Sequence, residues 1–368
     1  MARRPAASRV GEEPDNMTSG KLAASQQPLV SVLTPVYNGE SHLVECIESV
    51  LAQTYQNWEY IIVNNCSTDR TADIIDGYAR REPRIRVMNN REFVSANKNH
   101  NIALTLISPQ SKYCKFVQAD DFLFPSCLKE MVAVAEANPS AGIVTAYHIQ
   151  DRWVWNDGWP YPSTLVPGHD VCRLYFLERQ VRFGTMSSFL LRSDLVRSRN
   201  PAFFNEKYLF CDTEIYFVIL QNYDYAFVHQ VLSFHRVPQN ALSSFAERNN
   251  QSSFSVVYLT KTYGRIYLTS EEYERCWRHA LNRYYRRQGH ELFHFRERGF
   301  WQYHHKMMEG IGLTFSVPRL LRGAMAEAAD VVFEPINAVG RMIRFIRSGR
   351  AYLRHNEDPK AFRRTRML

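Results

Sequence analysis

The sequence predicts an α/β fold in which helices flank a mainly parallel sheet. From Leu29 onward, short β-rich runs alternate with stretches in which apolar residues recur at helical spacing. Such alternation implies right-handed crossovers between parallel strands, with ligands bound beyond the carboxyl ends of the strands. A chain of 368 residues that is 45% hydrophobic can bury the core of a Rossmann-like sheet of this kind.

Each predicted element follows from its local pattern. The run from Leu29 to Thr34 is a strand that ends at Pro35, and apolar residues between Leu43 and Leu51 share one face of a helix. This β-α step then recurs. The other predicted strands cover residues 60–63, 85–88, 113–117, 142–147, 187–191 and 226–234, and the other helices cover 69–81, 96–106, 126–137 and a stretch from Cys211.

Three regions are predicted along the chain. Residues 1–27 have no sustained hydrophobic period and are expected to form a flexible leader. Residues 28–259 form the α/β domain, in which residues 151–168, rich in Trp, Pro and Gly, form a long loop over the site. Residues 260–368 are helical and basic, with 21 Lys and Arg against 11 Asp and Glu, a net charge of +10.

Composition narrows the class of protein. The seven Cys include no C-x-x-C pair, which favours a reducing, cytoplasmic setting over a disulfide framework. No run approaches the ~18 apolar residues of a membrane span, and no secretory signal is recognisable. The overall charge of +8 comes from the C-terminal region, and we expect no nucleic-acid partner.

Polar residues follow three predicted strands, at Pro35–Asn38, Asn64–Asp69 and Gln118–Asp121. The adjacent carboxylates Asp120 and Asp121 are costly to bury without a partner, and a divalent cation carrying diphosphate oxygens is a suitable one. Capping of the helix that begins near Ser126 is an equally good explanation of the pair by itself.

The order and spacing of these motifs resemble family 2 glycosyltransferases, from about Leu29 to Val237. The resemblance rests on the following segments: Val30–Asn38, Ser49–Tyr55, Ser67–Asp69 and Ala119–Asp121. It implies a GT-A type fold and an inverting transferase that uses a nucleotide-diphospho-sugar donor. By resemblance, Pro35, Tyr37, Asn38 and Asn65 surround the nucleoside, Asp120 contacts the ribose or sugar, and Asp121 binds Mn²⁺ or Mg²⁺.

The chain departs from the family pattern at two positions. Asn64 and Asn65 stand where the family usually has two Asp, so the base contact loses a charge and gains N–H donors. Gln118 replaces a further Asp, which shortens the acidic motif. The identity of the base is therefore left open.

The resemblance also implies a catalytic base at the start of a later helix. Asp212 fits, because an attacking hydroxyl needs a carboxylate opposite the departing diphosphate. Capping of the helix by Asp212, with Glu214 in the first turn, is the alternative.

Several other residues are also candidates for the site. Lys98 either offsets diphosphate charge or is a solvated residue. Arg236 follows a strand, at a position where relatives often carry an Arg or His that faces the leaving diphosphate. Four aromatic residues either stack on an acceptor sugar or pack the irregular loop. They are Trp153, Trp155, Trp159 and Tyr161.

The basic tail has two interpretations. Apolar residues between Pro335 and Arg350 form one helical stripe, bordered by arginines, and Arg363–Arg366 adds further charge. Such a helix binds an anionic membrane surface peripherally, or it packs on the domain or a second subunit.

Together these features predict a metal-dependent, inverting glycosyltransferase that acts on a glycan or lipid-linked acceptor in cell-surface polysaccharide synthesis. A non-catalytic relative that binds a nucleotide or glycan is the alternative, because Asn64 and Asn65 replace acids.

Overall fold

The computed structural model describes residues 27–156, 159–177, 181, 183–199, 202–236, 245–246 and 248–329. The predicted leader up to residue 26 and the predicted amphipathic helix from Pro335 to Arg350 lie outside these residues, as does the basic run at Arg363–Arg366.

A central mixed sheet organises the fold. Its strands are β1 (Leu29–Val36), β2 (Trp58–Asn64), β3 (Ile85–Asn89), β4 (Ser111–Phe116), β5 (Phe122–Leu123), β6 (Ala141–Gln150), β7 (Trp153–Trp155), β8 (Leu165–Val166), β9 (Phe189–Arg192) and β10 (Asp224–His235). The order is β3-β2-β1-β4-β9-β6-β10-β5, with β7 on β6 and β8 on β10.

Parallel pairing holds for β3-β2-β1-β4 and for β6-β10, whereas β9 is antiparallel to both of its neighbours. The short strands β5, β7 and β8 are also antiparallel to their partners. The predicted α/β class is confirmed, but the sheet is parallel mainly in its N-terminal half. There the strands are joined by helical crossovers, which parallel pairing requires.

Helices cover both faces of this sheet. They are α1 (Leu43–Leu51), α2 (Thr71–Ala79), α3 (Ala96–Thr105), α4 (Cys127–Ala137), α5 (Gly168–Leu177), α6 (Ser193–Ser198), α7 (Cys211–Ile219), α8 (Gln251–Tyr267), α9 (Ser270–Leu292) and α10 (Arg298–Gly310), and residues 317–329 are also helical. Ile47 and Ile75 belong to the core of one face, and Leu104 and Phe217 belong to that of the other. Because both faces are covered, β1 and β2 are buried over almost their whole length.

The C-terminal helices continue this core. The predicted boundary after residue 259 falls inside α8, so the helical region begins at Gln251. Leu259 and Tyr267 of α8 are buried with Phe217 of α7, and the Tyr267 hydroxyl donates to the Phe217 carbonyl. A domain boundary at this point would cut through a helix that packs on the α/β core. Local sequence pattern does not reveal this packing.

Residues 151–168 are more ordered than a loop. They contain β7 and β8, and Trp159 is buried with its ring 4.6 Å from that of Tyr225. By contrast, Trp153 and Tyr161 are 65% and 81% exposed. Among the described helices, none is long and apolar enough to cross a membrane.

Candidate active site

The turns after β1 and β2 are locked together at the carboxyl edge of the sheet, where β1, β2 and β4 end. The Asn38 N–H donates to Ser67 Oγ at 3.0 Å, and Asn38 Oδ1 accepts from the Thr68 N–H at 2.8 Å. The Glu40 N–H donates to Asp69 Oδ2 at 3.1 Å. Asn38 has a φ of 49°, a left-handed conformation that Asn tolerates well. Asn38 therefore joins the two turns that the sequence assigns to nucleoside binding.

Asn65 is buried and uses its amide to hold the loop before α3. Its Oδ1 accepts from the Val94 N–H and from Asn90 Nδ2, both at 3.0 Å, and its Nδ2 donates to the Val94 carbonyl at 2.8 Å. An aspartate cannot donate to that carbonyl, so this loop explains why Asn replaces the acid expected from the family pattern. Its contact with a base stays a prediction.

An exposed aromatic pair lies beside these turns. Tyr37 is 49% exposed and Phe93 is 62% exposed, and their rings meet edge to face with centroids 4.8 Å apart. Pro35, in contrast, is buried within β1. The structure thus adds Phe93, which the sequence pattern did not single out, to the candidates for contact with a flat ligand.

Asp121 lies beyond the end of β4 with a fully inaccessible side chain. Its Oδ2 accepts from Ser187 Oγ at 2.5 Å and interacts with His235 Nδ1 at 3.0 Å, and its Oδ1 accepts from the Arg236 N–H at 3.0 Å. A carboxylate offers about four acceptor directions, and three are taken here. This environment suits a residue that joins three segments and leaves one acceptor direction free, and the role of Asp121 as metal ligand stays a prediction.

Asp120 is the more accessible carboxylate of the pair. Burial, and then the charge of Asp121, raise the pKa of Asp120 to about 6. Arg236 reaches across this region, because its Nε donates to the Asp120 carbonyl at 3.1 Å and its Nη2 pairs with Glu45 Oε2 at 2.6 Å. An under-compensated carboxylate beside a fixed guanidinium is typical of a site that takes a charged ligand.

His235 connects this acidic pair to the start of α7. Burial disfavours the charged imidazole, but its hydrogen bond to Asp121 and the charges of Asp121, Asp120 and Asp212 together raise the pKa of His235. The charge of Asp212 therefore acts at the same place as the other two carboxylates. Asp121 contacts this imidazole directly, and the charges of Asp120 and Asp212 also act on it.

Asp212 is half-buried in the first turn of α7, and burial raises the pKa of its carboxyl. Its Oδ1 accepts from the Thr213 N–H at 2.7 Å. The approach to α7 is held by Asn97, whose Nδ2 donates to the carbonyls of Asn205 and Tyr208 at 2.8 and 2.7 Å. α3 thereby fixes the segment that delivers Asp212.

Lys98 follows Asn97 on the first turn of α3. Its backbone N–H donates to Ser95 Oγ, the cap of that helix, and its side chain is exposed. Within the described part of the chain its ammonium group forms no ion pair, so it is available to a ligand that lies between α3 and the carboxyl edge.

Ser187, His235 and Gln118 are functional candidates that the sequence pattern did not assign. Ser187 bonds Asp121 through its hydroxyl, which also accepts from the Gln118 N–H at 3.0 Å. Gln118 Nε2 lies 2.8 Å from His100 Nε2, and His100 Nδ1 lies 2.6 Å from the Ala96 carbonyl. His235 directly precedes Arg236, so its position at the end of β10 was the one signal available in the sequence.

The side-chain atoms that could act as metal ligands show whether a divalent cation fits the site. Asp120 fits, because an oxygen ligand with a raised pKa gains most from a nearby cation. In the described residues there is no ready cluster of three or more His, Cys, Asp or Glu that would hold a metal alone. A cation here would therefore need ligand oxygens as well, as Mg²⁺ commonly does with phosphates.

Part of the chain matches a known protein family. The family described as Glycosyl transferase family 2 matches residues 31–197. Residues 31–197 are a glycosyl transferase family 2 domain. The chain is 30% identical over 144 residues to the glycosyltransferase GlyG of Streptococcus pneumoniae, covering 39% of this chain and 46% of GlyG. It is 41% identical over 95 residues to Bacillus subtilis TuaG, whose name assigns it to teichuronic acid biosynthesis, covering 26% of this chain and 37% of TuaG.

The chain thus spans less than half the length of these curated relatives. Solved structures agree with the fold of the family 2 domain. Staphylococcus aureus TarS in complex with UDP-GlcNAc superposes with a TM-score of 0.56 at 18% identity, over 77% of this chain and 80% of that one. The Pyrobaculum calidifontis mannosyltransferase PcManGT, in complex with GDP-Man and Mn²⁺, gives 0.51 at 15% identity, over 87% and 85%.

Proposed function

We propose that this protein is an inverting glycosyltransferase that moves a sugar from a nucleoside-diphosphate donor to a hydroxyl of a glycan or lipid-linked acceptor. The observation that carries the proposal is the convergence of Asp120, Arg236 and Asp212 around His235 at the carboxyl edge of the sheet. The Asp120 carboxylate suits a cation, the Arg236 guanidinium suits a leaving diphosphate, and Asp212 suits the role of catalytic base.

The nucleoside half of the donor binds at the turns after β1 and β2 in this proposal. Tyr37 and Phe93 offer exposed ring faces to a base, and Asn38 and Asn65 keep the two flanking loops in place. A UDP-sugar or a GDP-sugar suits this site by analogy with TarS and PcManGT, whose complexes contain UDP-GlcNAc and GDP-Man. The titration described below identifies the nucleobase of the donor.

Arg236 and Lys98 bind the diphosphate of the donor in this proposal. Arg236 is already oriented by its bonds to the Asp120 carbonyl and to Glu45, so little side-chain entropy is lost when it binds a phosphate oxygen. Asp120 would hold Mn²⁺ or Mg²⁺ together with diphosphate oxygens. When bound, the cation would supply charge stabilisation to the departing diphosphate.

Asp212 is the proposed base. In a single displacement the acceptor oxygen forms a bond to the anomeric carbon as the bond from that carbon to the diphosphate oxygen breaks, which inverts the centre. The hydroxyl proton passes to the Asp212 carboxylate, and the nucleoside diphosphate leaves. Burial raises the pKa of Asp212, which makes it a better proton acceptor than an exposed aspartate.

The setting that suits this activity best is assembly of a cell-surface polysaccharide, and the name of TuaG assigns that relative to teichuronic acid biosynthesis. We further propose that the enzyme works in the cytoplasm, at the inner face of the membrane, where lipid-linked acceptors are presented. The basic C-terminal region, residues 260–368, supports such a peripheral contact through its net charge of +10.

The test is calorimetric titration of the purified chain with UDP, GDP, CDP and dTDP, each with Mn²⁺ and with a chelator. Metal-dependent binding of one diphosphate, lost in the Asp120→Asn variant and kept in the Asp194→Asn control, supports the proposal. Binding of none of the four would reject the transferase and leave a non-catalytic relative as the alternative.

A further inference from the structure

An exposed tryptophan lies on an edge strand near the candidate site. β7 pairs with the carboxyl end of β6, and its Trp153 and Val154 are 65% and 48% exposed. Trp159 from the same segment is buried against Tyr225. An indole ring left in water forgoes the free energy that burial provides, so Trp153 gains stabilisation when a ligand covers it.

The strand register places Trp153 relative to the proposed reaction centre. Trp153 is directly opposite Gln150 on β6, and Gln150 is directly opposite His235 on β10. Residues directly opposite in neighbouring strands project from the same face of a sheet, so the three side chains form one row. At a strand spacing of ~4.8 Å, the row carries Trp153 about 10 Å from His235, which contacts Asp121.

The order of the strands places this row relative to the nucleoside turns. Tyr37 follows β1, and β4 and β9 lie between β1 and β6 in the sheet. Trp153 therefore stands on the opposite side of β4 from the turns that suit the donor base. β7 pairs with the same edge of β6 as β9 does, so Trp153 lies between β4 and His235 in the order of the strands, and a ligand on this row reaches His235 without occupying the turns after β1 and β2.

We infer that Trp153 binds a sugar ring of the acceptor glycan, next to the ring that receives the transferred sugar. The inference rests on the proposed function. An indole face matches the C–H surface of a pyranose, and the half-buried carboxamide of Gln150 offers a donor and an acceptor to sugar hydroxyls between Trp153 and His235. The acceptor is accordingly an oligosaccharide chain of at least two sugars, free or lipid-linked.

The experiment uses the full-length chain and its Trp153→Ala and Trp153→Phe variants. Phe293→Ala is the matched control, because Phe293 is also an exposed aromatic residue, 54% exposed, at the end of α9. Each protein, supplemented with Mn²⁺ and the diphosphate that it binds, is applied to an array of di- to pentasaccharides that end in glucose, galactose, mannose or N-acetylglucosamine.

We expect the wild-type chain to capture at least one glycan and Trp153→Ala to bind that glycan about tenfold more weakly. Trp153→Phe keeps most of the affinity, and Phe293→Ala is unchanged. Capture of no glycan by the wild-type chain, or equal capture by Trp153→Ala, overturns the inference. Titration of the same samples with nucleoside diphosphate tests the proposed function separately, since Trp153→Ala should bind the diphosphate as the wild type does.

Discussion

The Tyr263 hydroxyl donates a hydrogen bond to Glu214 Oε1 at 2.8 Å and so ties α8 to the first turns of α7. Tyr258 donates to the same oxygen at 2.5 Å. Glu214 is two residues beyond Asp212, and residues at that spacing point to different sides of a helix. The buried Glu214 thus anchors the back of α7 while Asp212 faces the candidate site.

Removing both anchoring hydroxyls should lower turnover without weakening donor binding. We expect Tyr258→Phe/Tyr263→Phe to destabilise the fold by about 2 kcal/mol for each lost bond to a charged group. The turnover number should fall about tenfold because Asp212 loses its fixed position, while the dissociation constant for nucleoside diphosphate stays the same. Tyr78→Phe is the control, since it removes a tyrosine bond to Glu48 between α1 and α2. A double variant with wild-type turnover would show that Asp212 does not depend on this anchor.

Asp120 should make stability depend on pH. Its pKa is about 6 in the folded chain, against 3.8 for a free aspartate, so the folded state retains the proton to higher pH than the unfolded state. The free energy of unfolding should therefore decrease as pH rises from about 4 to about 6, by about 3 kcal/mol for a shift of this size. Urea titrations across this range measure it.

Asp120→Asn should remove that decrease and be more stable than the wild type near pH 7, with equal stability near pH 4. Asp194 is the contrasting control, because its pKa is lowered chiefly by Arg192 against the effect of burial, and its contribution is lost as pH falls. Mn²⁺ should stabilise the wild type and leave Asp120→Asn unaffected. A wild-type pH profile in Asp120→Asn would exclude Asp120 as the cause.

Asp212→Asn should abolish sugar transfer while sparing the donor. The amide has nearly the same shape but does not accept the hydroxyl proton, so we expect turnover to fall by a factor of at least about 100. The calorimetric affinity for nucleoside diphosphate should be unchanged. Asp194→Asn serves as the exposed control, and turnover of Asp212→Asn within a few-fold of the wild type would assign the proton to another group.

Cys66 should report on the nucleoside site. It is the least buried of the seven cysteines, none of which is in a disulfide in the structure, and it lies in the turn after β2 beside Asn65. A thiol reagent should therefore label Cys66 first in the native chain, as mass spectrometry of the digested protein will show. The diphosphate that binds should slow labelling, and Cys66→Ala should remove the fast phase. Labelling at an unchanged rate in saturating diphosphate would place the nucleoside away from this turn.

Local pattern alone was sufficient for the α/β class and for most elements. The strand at Leu29–Val36 and the helix at Cys127–Ala137 lie within a residue or two of their predicted bounds, because hydrophobic period and helix-start residues act over short distances. The positions of the three polar segments also follow from local pattern, since each segment directly follows a strand. The parallel arrangement of β1, β2 and β4 then brings the ends of these strands together.

Tertiary structure decided which acid is accessible. Nothing local distinguishes Asp120 from Asp121, and only the approach of Ser187, His235 and Arg236 from distant segments buries the second of them. The same dependence on distant contacts explains the misplaced boundary inside α8 and the β7 strand in the predicted loop. Burial and hydrogen-bond pairing are set by residues far apart in the chain, whereas helix and strand periodicity is set by near neighbours.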